Sequence, residues 1–555
     1  MASDPSSPLR IELRSVQNLH DVAPDSVAPI TPIPPSGVRS RAGGPARREV
    51  RFPGDAGDTW ASIPAANGSL ARQGAAAEAS AFAGLAARWG RPLRVAILSD
   101  FVRIPYANGA AFQTRFLYQE LRRFGHEVTI IGPDDPEAHP DDLAPGTIAL
   151  PSVPLKTYPG VHIPLPLASW VYDAGRWNFD LVFAQTTSML MQFGTWLRRM
   201  KGIPLLCVNT THLVAAYEVL LPERLAHYEL VQTGVLAALR GPFERTFAGI
   251  YNDSDGLVVL SEGLRTYWQE RGVTAPIHVI PRVVPTDNFE RPAGADPFDH
   301  LTSRGRGSRL LCAGRHTREK SQDRLIRIFA RHVAIADPAA TLTIIGQGPD
   351  TETYKRVARD EGVLGRVFFV GEVPYRLMPD YYAYADVFLH ASLSETYGNV
   401  LGEALWCGTS TVAYADGMGV SSQIEDGVNG LLFAPGKGRR AELEADAAFG
   451  RAVVELLRDP EARASLGRAA ARKARSKAHP FVIQKKLADA FLHAHDHMAA
   501  SGIRPVIDRP KMLQWYTTFQ HFKPWTTVMG GLYLSGYLRP SRPIVRSRIH
   551  PQIAR

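Results

Sequence analysis

At 555 residues the chain is too long for one ordinary domain, so two packed units with flanking segments are expected. An apolar fraction of 45% is normal for a soluble globular protein, and no uninterrupted apolar run reaches the ~18 residues needed to span a bilayer. Of the net charge of +9, the segment from Ser501 onward carries +8, with nine Lys or Arg against Asp508 alone. This excludes a nucleic-acid-binding body and points to an anionic partner for the tail.

Residues 1–90 are rich in Pro, Ala, Gly, Ser and Arg without sustained periodicity. They are expected to be a disordered extension, with a short helix at Ala75 to Trp89. The opening MASDPSSPLRIELRSV lacks a charged-then-apolar signal layout. Cys207, Cys312 and Cys407 have neither metal nor redox spacing and read as small buried hydrophobes in a reducing compartment. Both features point to a cytoplasmic protein.

Order begins at Arg94 with the strand RVAILSD. A loop with Pro105, Asn108 and Gly109 follows, then a helix with Phe112, Phe116, Leu117 and Leu121, then the strand EVTIIG. Such a loop lies where doubly wound sheets place ligands, and the Asn108-Gly109 turn lets backbone approach one closely or serves as a plain connector. Strands at Asp180 to Gln185, Pro204 to His212, Gly256 to Ser261 and His278 to Val284 alternate with helices. After a Pro/Asp/Gly-rich link the pattern restarts with strands at Ser308 to Arg315, Thr341 to Gly348, Arg366 to Gly371 and Asp386 to Ser392. The predicted fold class is α/β, with two doubly wound Rossmann-like domains facing a cleft, over 91–295 and 296–480. A helical, basic, aromatic extension spans 481–555.

The most informative stretch is SETYGNVLGEALWCGTSTVAY, Ser394 to Tyr414, which reads as loop, helix, turn, strand. Its helix N-terminus, about two turns before Glu403, is a ready phosphate site. Arg315 and Lys320 follow a strand end, so both can reach the cleft. Their alternative is two solvated surface cations.

Four segments in order, GRHTREKSQDRLIRIF (Gly314 to Phe329), IIGQGPD (Ile344 to Asp350), SETYGNVLGE and EDGVNGLLFAPG (Glu425 to Gly436), resemble the retaining GT-B glycosyltransferases called group 1. The resemblance covers roughly Arg94 to Gly436 and implies sugar transfer from a nucleotide-diphosphate donor, a UDP- or GDP-sugar, to a lipid or glycan acceptor. It implies a front-side mechanism with no metal and no cofactor, in which Arg315 and Lys320 stabilise the leaving diphosphate. It assigns Glu395 to the donor sugar and Glu403 to the ribose. Gly314, Gly346, Tyr397, Gly398, Asn399 and Val400 complete the donor site, and Asn108 and Gly109 form an acceptor or phosphate loop. His212, with Thr211 as its rival, stands for the family's active-site histidine.

Three places depart from the pattern or distract from it. The family's Pro-Asn-Gly-Val-Asp segment reads Pro281-Arg282-Val283-Val284-Pro285, leaving that hinge contact open. Met418 and Val420 in DGMGVSSQ, the loop that often contacts the donor sugar, have no assigned role. Asp253 and Asp255 look like the metal-binding acids of another glycosyltransferase fold but precede a strand, so turn chemistry is expected of them. Competing functions are a non-catalytic sugar-nucleotide-binding scaffold and, more weakly, a sugar-nucleotide epimerase. Residues 501–555 either lie on an anionic membrane surface, placing the protein at its cytoplasmic face, or brace the two domains.

Overall fold

Two parallel sheets, each with its own pair of helical layers, make up the computed structural model, which describes residues 81–103, 109–136, 138, 142–154, 162–166, 169–210, 237–299 and 307–514. All belong to one unit, Gly54–Arg555. Asn108, Thr211, His212, the first eighty residues and 515–555 lie outside the described residues, so the expectations placed on them have no structural counterpart.

In the first sheet β1 (Arg94–Ser99), β2 (Glu127–Pro133), β3 (Ile148–Leu150), β6 (Leu181–Gln185), β7 (Leu205–Val208), β8 (Gly256–Val259) and β9 (Ile277–Val279) run in the order β3-β2-β1-β6-β7-β8-β9. Every pairing in it is parallel. The β1 side chains alternate faces, as a strand's period of two requires. Ala96 and Leu98 enter one apolar cluster, and Val95 and Ile97 the other. β4 (Ser152–Pro154) and β5 (His162–Pro164) form a separate antiparallel hairpin, which was not expected.

The second sheet contains β10 (Arg309–Ala313), β11 (Thr341–Ile345), β12 (Val367–Gly371), β13 (Val387–His390), β14 (Thr411–Tyr414) and β15 (Leu431–Phe433), in the order β12-β11-β10-β13-β14-β15. Its strand order reverses between β10 and β13, where open α/β sheets bind ligands beyond the strand ends. Here too alternate residues divide: Leu310 and Cys312 face one cluster, Leu311 and Ala313 the other.

The helices used below are α1 (Ala81–Trp89), α2 (Gly109–Arg123), α3 (Met189–Lys201), α4 (Ala237–Asn252), α5 (Glu262–Glu270), α6 (Thr286–Phe289), α7 (Gln322–Ile328), α8 (Thr351–Asp360), α9 (Met378–Tyr384), α10 (Asn399–Cys407), α11 (Gly419–Gln423), α12 (Arg439–Arg458), α13 (Pro460–Ala478) and α14 (Pro480–Ala500). The expected strand from His278 to Val284 is shorter, because beyond Val279 the chain leaves the sheet as a link to α6. α14 returns to the first half, where Phe491 stacks on Phe82 at 6.3 Å and Ile483, Leu487 and Ala494 join the same cluster.

Asp253 and Asp255 lie in the turn between α4 and β8, and their side chains are held by ion pairs. Arg198 of α3 makes two 2.8 Å bonds to Asp255, and Asp255 also accepts from Leu205 N and lies 3.0 Å from His497 of α14. Arg199 covers Asp253. Three elements converge on a fully buried carboxylate, and their hydrogen bonds offset the cost of its burial. Cys207 and Cys312 are buried and Cys407 is half-buried; all three are unpaired.

Candidate active site

The loops beyond β10 and β13 meet over the point where the strand order reverses. From β10 the chain passes through Gly314 and Arg315 into a short turn, Arg318–Lys320. Ser321 ends that turn at φ 49° and is, among the described residues, the one non-glycine with positive φ. That conformation costs an L-residue ~1 kcal/mol, and it brings Lys320 round to the cleft. Its Nζ lies 2.6 Å from Glu395 Oε1, so Lys320 is not merely a solvated cation. Arg315 is exposed directly after the strand.

Glu395 is buried. Burial acts to raise its pKa, but the Lys320 ammonium and His390, whose Nε2 is 3.5 Å from the same oxygen, hold the carboxyl far below the usual range. Glu395 therefore stays an acceptor at every working pH, suited to sugar hydroxyls.

Three residues on, Gly398 adopts φ 83° and sets the start of α10. No side chain caps that end, so the amides of Asn399 and Val400 open a helix whose positive pole is left to a ligand. Gly346 lies against the Gly314 carbonyl, where a Cβ would come within 2.1 Å of the oxygen. These two glycines let the β10 and β11 ends touch. Gly109 is the first residue of α2.

Because α10 starts at Asn399, Glu403 sits about one turn in, not the two expected. Its Oε2 accepts from Tyr382 OH at 2.9 Å, and Tyr375 is a second partner. Burial dominates these bonds and raises the Glu403 pKa to about 7. The two glutamates thus occupy opposite electrostatic environments, one fixed as an anion and the other able to exchange its proton near neutrality.

The halves touch across the cleft. Phe112 of α2 stacks on Tyr375, 4.5 Å between centroids and 25° between planes. Thr396 Oγ1 donates to Thr210 O at 3.1 Å. Met418 packs against the first half's core, Val420 is buried in the second, and Asp416 accepts from the amides of Met418, Val420 and Ser421. Met418 and Val420 thus prove to be packing residues, one for each half. Tyr397 is buried and likewise reaches the first half's core. Arg282 lies beside it, also buried. Arg282, Tyr375, Tyr382, His390 and Phe112 carry no motif of their own. The one sequence signal among them was Arg282, standing where the family pattern has asparagine.

The Glycosyl transferases group 1 family matches residues 298–473, and Glycosyltransferase Family 4 matches 107–288. Together with the two doubly wound halves and the site between them, these matches place the chain in the group 1 GT-B glycosyltransferases. It is 27% identical over 349 residues to the alpha-monoglucosyldiacylglycerol synthase of Streptococcus pneumoniae, covering 61% of this chain and 75% of that protein. It is 33% identical over 231 residues to the GDP-mannose-dependent alpha-(1-6)-phosphatidylinositol monomannoside mannosyltransferase of Mycolicibacterium smegmatis, covering 39% and 57%. The fold is shared with the sucrose-phosphate synthase of Thermosynechococcus elongatus (TM-score 0.56, 20% identity, 74% of this chain and all of that one). It is also shared with HepE of Anabaena, solved with UDP-glucose (TM-score 0.53, 17% identity, 72% and 98%).

Removing Lys320 strands a buried anion, so Lys320→Met is expected to cost on the order of 3 kcal/mol. Adding Glu395→Gln should recover most of that, as read by chemical denaturation. For Glu403 the folded pKa lies above the unfolded value. Its protonation therefore stabilises the fold fully below about pH 4.5, and that contribution fades as pH rises through about 7. The melting temperature of the nucleotide-free protein should accordingly fall between pH 5 and 8 more steeply than that of Glu403→Gln.

Proposed function

We propose that this glycosyltransferase moves a hexose from a UDP- or GDP-sugar to a lipid or glycan acceptor with retention of anomeric configuration. The observation that carries this reading is the uncapped α10 terminus beside the Lys320–Glu395 pair. As the glycosidic bond lengthens, negative charge grows on the departing diphosphate. The α10 amides, Lys320 and Arg315 are placed to stabilise it without reorganising. Lys320 is shared in the free protein, and an arriving phosphate competes with Glu395 for it. Glu395, still anionic, then accepts from the sugar hydroxyls.

Glu403, once ionised, accepts from the ribose. With the diphosphate held this way, positive charge comes from the chain itself, and the reaction is proposed to proceed without a metal. In a front-side attack the acceptor hydroxyl approaches the face the diphosphate leaves, and a phosphate oxygen takes its proton. His212 is proposed near the transferred sugar, and Asn108 and Gly109 near the acceptor or the phosphates.

The names of two relatives support a lipid acceptor: one is a glucosyldiacylglycerol synthase and the other acts on a phosphatidylinositol mannoside. Among the described residues no helix is long and apolar enough to cross a membrane. The basic, aromatic segment after Ser501 is the proposed contact with an anionic membrane surface, at its cytoplasmic face.

Incubation with UDP- and GDP-sugars and a lipid extract should release nucleoside diphosphate and yield an α-linked product, unaffected by a chelator. Lys320→Ala and Glu395→Gln should each lower turnover at least 100-fold, or about 2.7 kcal/mol in barrier. Unchanged turnover in both would discard the site. Nucleotide binding without transfer would favour the scaffold reading.

A further inference from the structure

A cavity of about 500 Å³ opens between α2, the link into α6, and the α10 face that carries Asn399 and Glu403. Asn399 opens α10 at its proposed phosphate end and Glu403 follows one turn on, so the cavity reaches from that end to the residue proposed for the ribose, the nucleoside side of the donor site. Phe112 and Tyr375 add aromatic wall from opposite halves, and flat ligands stack well against such walls.

Arg282 also lines this cavity. It is 6% exposed, and its Nη1 has no hydrogen-bond partner. Burial pulls its pKa down to about 10, yet at that value the guanidinium is still charged at neutral pH. No carboxylate in the described residues forms an ion pair with it. The neighbour that acts on its charge is Tyr397, a phenol whose own pKa burial pushes up further still and which therefore stays neutral. A buried, charged fork without an acceptor is costly. Nothing in the packing explains why the link should carry Arg here in place of a small or apolar residue. A ligand that brings acceptor atoms into the cavity does explain it.

We propose that Arg282 reads the base of the nucleotide donor and selects guanine. The proposal rests on the donor-site reading above and narrows it. Guanine carries two adjacent acceptors, O6 and N7, spaced for the two arms of one guanidinium. Uracil's two carbonyls, O2 and O4, are separated by the N3–H donor, so it has no adjacent pair of acceptors and one arm would face a hydrogen. Arg282 belongs to the link between the halves: its neighbour Val283 N donates to Gln113 of α2 at 3.5 Å. Base recognition would therefore draw on both halves when the cleft is closed.

Calorimetric titration of the full-length protein with GDP and UDP tests this. GDP should bind ~10-fold tighter or better, the scale of one bidentate base contact. Arg282→Gln should weaken GDP ~10-fold and leave UDP nearly unchanged, and Arg282→Lys, which keeps the charge but loses the fork, should fall between. 7-deaza-GDP, lacking one of the two acceptors, should bind the wild-type protein several-fold more weakly than GDP. That comparison holds even if the variants fail to fold. Equal or tighter binding of UDP overturns the proposal, as does a GDP preference that survives in folded Arg282→Gln or 7-deaza-GDP binding as well as GDP. If the folded protein binds neither nucleotide, the donor-site reading itself fails.

Discussion

The ion pair between Lys320 and Glu395 is the constraint on which the site depends. It joins two loops from different strands, β10 and β13, over the place where the sheet order reverses. Glu395 is buried and must have a cation beside it. Lys320 can supply one because Ser321 accepts a left-handed backbone that turns the chain back toward the cleft. The same loop then runs through Gly398 into an uncapped helix. One pair thus fixes a carboxylate, an ammonium and a helix pole within a small volume, and a diphosphate sugar needs those three groups together.

Glu403 is built on the opposite principle. Among the described residues it has hydroxyl partners and no cation, so burial holds its proton near neutrality. The ribose contact proposed for it favours the anion, and under that proposal nucleotide affinity and proton release are coupled at this residue. The closed cleft ties it to the first half, because its partner Tyr375 is stacked on Phe112. A change in the angle between the halves would move the aromatic wall next to Glu403. The return of α14 onto α1 and β6, through Phe491, anchors the two halves from behind.

Much of this was legible in the chain. Val95 to Leu98 and Leu310 to Ala313 announce strands buried on both faces, and their alternation with helices implies parallel sheets. The motif residues Lys320, Glu395, Asn399 and Glu403 do gather around one cleft. Less legible was anything that depends on partners distant in sequence. Asp255 was legible as a turn residue, but not the enclosure of its carboxylate by Arg198 and His497, from α3 and α14. Tyr382 and His390 lie in apolar stretches without a polar pattern, and what they touch is decided by how α9 packs on α10 and by the loop that folds back over the end of β13. The start of α10 was misplaced because Gly398 in the left-handed region delays the first helical turn. Arg282 could be noticed only as an oddity, since its burial is a property of the closed cleft.

A crystal structure of the complex with a nucleoside diphosphate tests the central claim most directly. The diphosphate is expected on the α10 amides, with Lys320 Nζ turned from Glu395 to a phosphate oxygen and Glu395 left facing the sugar position. A diphosphate bound elsewhere, with the Lys320–Glu395 contact intact, would contradict it.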